Sequence, residues 1–223
     1  MGYRSDFPPQ PREFFQTPRD FALALLGLPN LPPGPWFDPS AGGGGTMLPF
    51  MDAGIDVTGI DLEPLHENIA KADFLDLDSL PAGTAAVVTN PPWSLAARFI
   101  DHAFKIAPPV PVIFLLPGDW LHAQGRARFV ERCTAIGAVN RKPQWIGGTP
   151  DTAKAYVSWF RFDLKATESR PRFVQLSAGK SSKYTGKRCR RCTWPIPPNK
   201  RADTQFCTDR CRVAAHRAKE LTA

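Results

Sequence analysis

Residues 36–52 read WFDPSAGGGGTMLPFMD, and this stretch decides the fold class. It opens with the apolar character of a short strand, continues through four glycines at 42–45, and ends in an apolar stretch of helical type from Met47 to Asp52. In open α/β sheets the ligand sits beyond the carboxyl ends of the strands, and glycines there let the backbone approach it closely. The stretch therefore predicts a strand, a ligand-binding turn and a helix in succession.

The same alternation continues along the chain. Predicted strands cover 56–61, 85–89 and 112–116, a late strand at 156–162 suits a sheet edge, and predicted helices cover 95–106 and 126–136. An earlier short helix is expected from Thr17 as N-cap, Pro18 as first helical residue and Gly27 as the stop. Strands that alternate with helices predict an α/β domain whose mostly parallel sheet carries helices on both faces.

The glycine loop fits a nucleoside cofactor. Asp61 ends the next predicted strand, 19 residues beyond Gly42, where a carboxylate can accept hydrogen bonds from ribose hydroxyls. A dinucleotide fingerprint counted from Gly42 needs glycine at position 47, which is Met47, and no Gly-Lys-Ser/Thr for a triphosphate follows the loop. A purely structural glycine turn is the alternative that this loop leaves open.

Asn90-Pro91-Pro92-Trp93 directly follows the strand predicted at 85–89. Two consecutive prolines stop the hydrogen-bond ladder and hold the chain extended, so Asn90 is expected at the edge of the cleft. Its side-chain oxygen and the carbonyl of Pro91 would each accept one N–H of an exocyclic amine, which is otherwise a poor nucleophile. Trp93 offers a face on which an extruded base can stack. The alternative is a strand that simply ends in a proline turn.

In this arrangement the sequence resembles the N6-adenine group of the DNA amino-methyltransferases, over most of residues 14–162. The resemblance implies a Rossmann-like class I fold, S-adenosylmethionine as cofactor, and methyl transfer to adenine N6 by direct in-line displacement. Its catalytic motif corresponds to Asn90, Pro91, Pro92 and Trp93. The cofactor-binding residues that it implies are Thr17, Pro18, Asp38, Ser40, Gly42, Gly44, Asp61, Asp73, Phe74 and Asn90.

The resemblance also implies individual roles. Asp38 would contact the methionine amino group, Thr17-Pro18 the same end of the cofactor, Asp61 the ribose, and Asp73-Phe74 the cofactor's adenine. The motif order is similar to the gamma arrangement, and residues 115–121 and 156–163 are similar to small phage-encoded members. No separate target-recognition domain of the usual kind fits between Trp93 and Leu164.

Other reaction classes share part of the pattern. RNA adenine or guanine amino-methyltransferases and the glutamine methyltransferases of release factors resemble the tetrapeptide equally well, and a non-catalytic nucleic-acid adaptor is a further alternative. Cytosine C5 methylation needs a cysteine nucleophile next to proline, and Cys133 lies in Arg-Cys-Thr instead. Cys133 is therefore interpreted as a buried or idle thiol.

The last part of the chain has a different composition. Residues 165–223 hold 15 of the 28 Lys and Arg but 4 of the 21 Asp and Glu, a density that favours contact with a nucleic-acid backbone. Four cysteines, Cys189, Cys192, Cys207 and Cys211, have the spacing of a structural zinc site. His216 as a ligand in place of Cys211, and a protein-docking role for the module, are the alternatives.

These features predict three regions: a methyltransferase domain at 1–164, a polar basic linker at 165–187, and a small zinc-binding basic module at 188–223. The expected partner is DNA, with RNA as the alternative, and the chain is expected to act as a monomer or weak dimer. The apolar run from Val110 to Leu116 is too short to span a bilayer, and no secretion signal opens the sequence. Together with the phage resemblance, this predicts the cytoplasm of a bacterial or phage-infected host cell.

Overall fold

The computed structural model describes residues 13, 15–145, 153, 155–166, 170–178, 203–205 and 212. Within them, eight strands form one sheet with four α-helices around it. The helices are α1 (Arg19–Ala24), α2 (Met47–Asp52), α3 (Ala96–Ile106) and α4 (Ala127–Val130). The strands are β1 (Trp36–Asp38), β2 (Val57–Asp61), β3 (Ile69–Lys71), β4 (Ala86–Thr89), β5 (Val112–Pro117), β6 (Cys133–Val139), β7 (Val157–Phe162) and β8 (Arg172–Leu176). Short 3₁₀ turns occupy Leu25–Gly27, Phe74–Asp76 and Trp120–His122.

The strand order is β3-β2-β1-β4-β5-β7-β6-β8. Neighbours from β3 to β5 are parallel, β7 is antiparallel to both β5 and β6, and β8 is parallel to β6. The chain winds outward in one direction from β1 to β3 and in the other from β4 to β5. The point between β1 and β4 is therefore a topological switch point, where the crossovers leave a crevice beyond the carboxyl ends of the strands.

Each face of the sheet is covered by a separate apolar core. Phe21 of α1 and Phe50 of α2 pack with Trp36 on one face, and Phe99 of α3 and Phe129 of α4 pack with Phe37 on the other. Trp36 and Phe37 face opposite sides because successive strand residues alternate. The expectation of a mostly parallel sheet with helices on both faces is confirmed.

The late strand is present, but its expected edge position is wrong. β7 lies between β5 and β6, and five of its six residues are buried, all but Arg161. Consecutive residues of the strand are buried, so both of its faces are covered. An edge strand would leave one row of its backbone groups without a strand partner.

The predicted helix over 126–136 is also wrong. α4 ends at Val130, and Cys133–Val139 forms β6, in which buried and half-buried residues alternate. Gly137 within this strand lies directly against the side chains of Leu176 on β8 and Leu28, which a Cβ there would displace. The contact with β8, far along the chain, outweighs the helical pattern of the segment.

Three smaller differences concern element bounds. Pro18 is the N-cap of α1, with extended backbone angles, so Thr17 is not the cap and Pro18 is not its first helical residue. β3 was not predicted. The segment interpreted as a linker at 165–187 contains β8, so the sheet continues to Leu176.

The cysteine module predicted at 188–223 lies outside the described residues, apart from 203–205 and 212. Among the residues that are described, no group of three or more His, Cys, Asp or Glu could hold a metal ion. The described helices include none with the length and apolarity needed to cross a bilayer.

Candidate functional site

A cavity of about 230 Å³ opens where β1, β2 and β4 end, at the switch point of the sheet. Eight of the residues predicted for the site line it, and they come from five separate parts of the chain. They are Thr17, Ser40, Gly42, Asp61, Asp73, Phe74, Asn90 and Pro92. Pro18, Asp38, Gly44, Pro91 and Trp93 are not among its lining residues.

Asp61 joins the glycine loop to the end of β2. Its Oδ2 accepts a hydrogen bond from the backbone N–H of Gly42 at 2.8 Å, and its Oδ1 accepts one from Glu63 at 2.8 Å. Each carboxylate oxygen has a second lone pair. Asp61 can therefore hold the loop in place and still accept hydrogen bonds from hydroxyls in the cavity.

The glycines of the loop are needed for contacts within the chain. Gly42 and Gly44 have φ of +53° and +83°, in the left-handed region that glycine adopts without strain. A Cβ on Gly45 would lie 2.8 Å from the backbone nitrogen of Thr17. The loop was expected to be glycine-rich so that a ligand could approach, but at Gly45 the group that approaches is the 16–17 segment.

Asp73 and Phe74 form the far wall of the cavity. Asp73 Oδ1 accepts the Leu75 backbone N–H at 2.9 Å and so caps the 3₁₀ turn that carries Phe74. The Phe74 ring is 1% exposed and lies 5.0 Å from the ring of Phe99, which also lines the cavity. These residues provide an apolar surface beside a carboxylate.

Asn90 is held by the segment that precedes α1. Its Nδ2 donates to the backbone oxygen of Phe15 at 3.3 Å and to Thr17 Oγ1 at 3.1 Å. A backbone carbonyl only accepts hydrogen bonds, so the amide nitrogen must face Phe15 and the oxygen must be the other atom. Asn90 Oδ1 is buried and has no hydrogen-bond partner. A buried acceptor without a partner costs about 1–3 kcal/mol, which favours a ligand that brings an N–H.

Trp93 lies behind the cavity wall. Its indole N–H donates to the backbone oxygen of Leu115 at 3.3 Å, and its ring meets that of Trp145 edge to face at 5.9 Å. The residue joins the loop at 90–93 to β5. Pro92 lines the cavity, and its carbonyl accepts the Leu95 N–H at 2.9 Å just ahead of α3.

Asp38 is the most deeply buried charged residue of the site. Its side chain is 0% exposed, its Oδ1 accepts hydrogen bonds from Thr89 Oγ1 at 2.5 Å and from the Ser40 N–H at 3.1 Å, and its Oδ2 has no partner. Burial raises the pKa of Asp38 to about 7, against the lowering effect of these two hydrogen bonds, and the charge of Asp61 raises it further.

Sequence reasoning missed several residues of the site. Gln16 lines the cavity and its Nε2 is buried without a partner, while Glu13 lines the cavity and accepts the Ser94 N–H at 3.2 Å. Thr46 also lines it, and its hydroxyl donates to Thr17 Oγ1 at 3.3 Å. No local pattern marks Gln16 or Glu13, whereas Thr89 had a usable signal, since it is the polar residue that ends a buried strand directly before Asn90.

Cys133 has the properties expected of an idle thiol. It is 0% exposed at the start of β6, and burial raises its pKa to about 12. A thiol in this state is not a nucleophile at neutral pH. The interpretation of Cys133 as a buried thiol is confirmed.

No protein-family model and no curated protein matches the chain. Several solved structures do. The methyltransferase subunit of a type I restriction-modification system from Streptococcus thermophilus is 15% identical, with a TM-score of 0.51, over 92% of this chain and 53% of that one. The M protein of the type I restriction enzyme EcoKI is 16% identical, with a TM-score of 0.46, over 66% and 43% of the two chains. The 23S rRNA methyltransferase ErmE is 14% identical, with a TM-score of 0.45, over 67% and 69%.

The likeness to the Streptococcus thermophilus subunit concerns the fold. With the mixed eight-stranded sheet, it shows that this chain has the class I S-adenosylmethionine-dependent methyltransferase fold, as expected. The chain spans about half the length of that subunit.

Proposed function

We propose that this chain transfers the methyl group of S-adenosylmethionine to the exocyclic N6 amino group of adenine in DNA. The observation that carries the proposal is the orientation of Asn90: its amide nitrogen is engaged by Phe15 and Thr17, and its oxygen is a buried acceptor without a partner. An acceptor in that place suits a substrate that presents N–H groups. Hydroxyl and thiol substrates present a single hydrogen, whereas an amino group can engage two acceptors at once.

The cavity fits the cofactor by the chemistry of its donors and acceptors. Asp61 would accept hydrogen bonds from the ribose hydroxyls, Asp73 and Phe74 would hold the adenine, and Thr17, Ser40 and Gly42 would meet the methionine end. Two unpaired buried polar atoms, Gln16 Nε2 and Asn90 Oδ1, belong to residues of this lining. When bound, S-adenosylmethionine supplies an electrophilic methyl group on a sulfonium.

The residues of this chain activate the amine by alignment. Asn90 Oδ1 and the carbonyl of Pro91 would each accept one N–H, which favours a pyramidal nitrogen whose lone pair is free to attack. The two prolines limit the movement of both acceptors. Holding a nucleophile in line in this way lowers the barrier without a covalent intermediate.

Trp93 is the proposed stacking partner of the extruded base; because it is not among the residues that line the cavity, the base would meet it outside that lining. Because its indole N–H is engaged by Leu115 and its ring by Trp145, the ring is held in a fixed place. A fixed aromatic face lowers the entropy lost when the base arrives.

The basic cysteine module is proposed to add affinity for DNA. Cys189, Cys192, Cys207 and Cys211 would hold a structural zinc ion that folds a segment too small to bury a core of its own. Chelation, or truncation after Leu176 so that β8 is kept, should weaken DNA binding and reduce its salt dependence. An unchanged salt dependence would assign the module to a protein partner instead.

The enzyme is proposed to work as a monomer or weak dimer in the cytoplasm of a bacterial or phage-infected cell.

Incubation with labelled cofactor and unmethylated DNA, followed by nucleoside mass spectrometry, tests the reaction. We expect N6-methyladenine; label in RNA alone, in cytosine or in protein would overturn the proposed substrate.

Asn90→Ala tests the site. Turnover should fall by about 10²–10³-fold, the loss typical of one preorganised group that stabilises a transition state, while cofactor binding measured by calorimetry persists. Asn68→Ala, at an exposed asparagine, is the matched control and should keep full activity. Equal loss of turnover and cofactor binding in Asn90→Ala would show that Asn90 is not the group that activates the amine.

A further inference from the structure

A buried chain of hydrogen bonds connects the end of β1 to the catalytic loop. Thr89 Oγ1 donates to Asp38 Oδ1 at 2.5 Å, Ser40 Oγ lies 2.7 Å from Thr89 Oγ1, and Ser40 Oγ lies 3.4 Å from the backbone oxygen of Asn90. Asp38 and Thr89 are 0% exposed, while Ser40 lines the cavity. The series of hydrogen bonds therefore runs from the fully buried carboxyl of Asp38 to the cavity wall at Ser40 and to the backbone of Asn90.

The number of hydrogens, together with the 2.7 Å between Ser40 Oγ and Thr89 Oγ1, which requires a hydrogen between the two oxygens, fixes the direction of these hydrogen bonds. Each hydroxyl has one hydrogen to donate. While Asp38 is ionised, its Oδ1 takes the hydrogen of Thr89, and Thr89 Oγ1 in turn takes the hydrogen of Ser40. The Asn90 carbonyl then has no hydrogen left to accept from Ser40.

Protonation of Asp38 at Oδ1 reverses the direction of these hydrogen bonds. The carboxyl hydrogen goes to Thr89 Oγ1, the Thr89 hydrogen goes to Ser40 Oγ, and the Ser40 hydrogen is released to the Asn90 carbonyl. One proton is added at Asp38 and no covalent bond between heavy atoms changes. The heavy atoms keep the same places, so the reversal needs only rotation of two hydroxyls.

We propose that Asp38, Thr89 and Ser40 form a reversible hydrogen-bond relay through which the protonation state of Asp38 controls how firmly the backbone of Asn90 is anchored. Asp38 is then a positioning residue, as are Thr89 and Ser40 in this role. When Asp38 is protonated, the hydrogen bonds of the relay point toward Asn90. Asn90 is then held at three points: its carbonyl by Ser40, and its Nδ2 by Phe15 and Thr17.

The surroundings of Asp38 place this reversal in the physiological range. Burial raises the pKa of Asp38 to about 7, and the hydrogen bonds from Thr89 and Ser40 lower it. Thr89 on β4 and Ser40 in the glycine loop are uncharged. Asp61 at the end of β2 is the charged group that acts on it among the described residues, and it raises the pKa.

The consequence for catalysis rests on the proposed function. If Asn90 orients the substrate amine, a firmer Asn90 backbone raises the rate of methyl transfer. The turnover number should then fall by about threefold or more between pH 6 and pH 8, because the Ser40 hydroxyl turns away from Asn90 as Asp38 ionises.

Thr89→Val and Thr89→Ser form the matched pair that tests the relay. Valine keeps the volume and removes the hydroxyl, whereas serine keeps the hydroxyl. We expect Thr89→Val to lose the pH dependence between pH 6 and pH 8, and Thr89→Ser to keep it with a rate within about threefold of the wild type. An unchanged pH profile in Thr89→Val, or the same loss in both variants, would overturn the proposal.

A second measurement does not depend on activity. In the full-length chain labelled with ¹³C-aspartate, the Asp38 carboxyl signal, assigned by its absence in Asp38→Asn, should titrate near pH 7. Its pKa should rise in Thr89→Val and stay near the wild-type value in Thr89→Ser. An Asp38 signal that titrates normally near pH 4, or that is insensitive to Thr89→Val, would overturn the relay. If the relay titrates as expected and no methyl transfer occurs, the proposed function fails and the relay stands.

Discussion

The two halves of the sheet bury different kinds of side chain. In the cavity half, which comprises β1 to β4, the strands β1, β2 and β4 end in Asp38, Asp61 and Thr89, and β4 leads into Asn90. β5 to β8, the packing half, bury aromatic and aliphatic side chains such as Trp159. Among the described residues the buried polar or charged side chains are Thr17, Asp38, Thr46, Thr89 and Ser158, and only Ser158 belongs to the packing half.

This difference shows in which half of the sheet buried polar atoms lower the stability of the fold. Burying a polar group costs free energy unless it is paired. The cavity half leaves Asp38 Oδ2 and Asn90 Oδ1 unpaired at its strand ends, whereas the unpaired buried atoms described around the packing half lie outside its strands; they are Trp120 Nε1, Arg126 Nε and Arg141 Nε. The packing half offsets that cost with close apolar contact. Substitutions in the packing half should therefore change stability, and substitutions in the cavity half should change activity or its pH dependence.

Trp159→Ala should have the largest effect on stability. Trp159 is 0% exposed at the centre of β7, and its indole N–H donates to the Phe21 backbone oxygen at 2.9 Å. We expect about 3–5 kcal/mol less free energy of unfolding, the usual cost of truncating a buried aromatic residue, measured by urea denaturation. Phe173→Ala on β8, at a side chain that is 71% exposed, is the control and should stay within about 0.5 kcal/mol. Equal effects would contradict the division between the halves.

Asp38→Asn should change the pH dependence of stability. The folded pKa of Asp38 is raised to about 7, against about 3.9 in an unfolded chain. The stability that this group contributes is therefore fully present below about pH 4 and is lost as the pH rises through 7. Between pH 5 and pH 8 the wild type should lose roughly 2–3 kcal/mol relative to Asp38→Asn, measured by denaturation at both pH values. Parallel pH curves for the two proteins would show that Asp38 is ionised at ordinary pH in the folded state.

Thr17→Val tests the anchor of the Asn90 side chain. The change removes the acceptor at 3.1 Å from Asn90 Nδ2 and leaves the Phe15 carbonyl as the remaining partner. Loss of one such hydrogen bond, worth about 0.5–1.5 kcal/mol, should lower the turnover number by up to about tenfold. Thr17→Ser should restore it. Failure of serine to restore the rate would mean that the methyl group of Thr17 matters more than its hydroxyl.

Cys133→Ala should have the smallest effect. The thiol is buried at the start of β6 in the packing half, away from the cavity lining, so activity should be unchanged and stability should fall by about 1 kcal/mol. In the native wild type, an alkylating reagent at pH 8 should leave Cys133 unmodified, as peptide mass spectrometry would show. Rapid labelling of Cys133 would contradict its burial.

Much of the cavity half was predictable because its signals are local. The strand, glycine loop and helix at 36–52, the acid that ends β2 and the Asn-Pro-Pro-Trp loop each depend on residues adjacent in sequence, and the structure brings Ser40, Gly42, Asp61 and Asn90 to one cavity. The packing half was less predictable. β6 was expected to be helical and β7 to lie at an edge, because their strand pairing depends on partners distant in the chain.

The sequence by itself determined the α/β alternation, the glycine loop after a strand and the residue types at the cavity, because these follow from periodicity and turn chemistry. Only the tertiary structure decided how those residues are used. It placed Asp38 beneath the cavity lining, paired with Thr89, and it brought Phe15 and Thr17 to the amide of Asn90, more than seventy residues away in sequence. Hydrogen-bond partners across such separations are set by the packing of the whole sheet, and no local pattern records them.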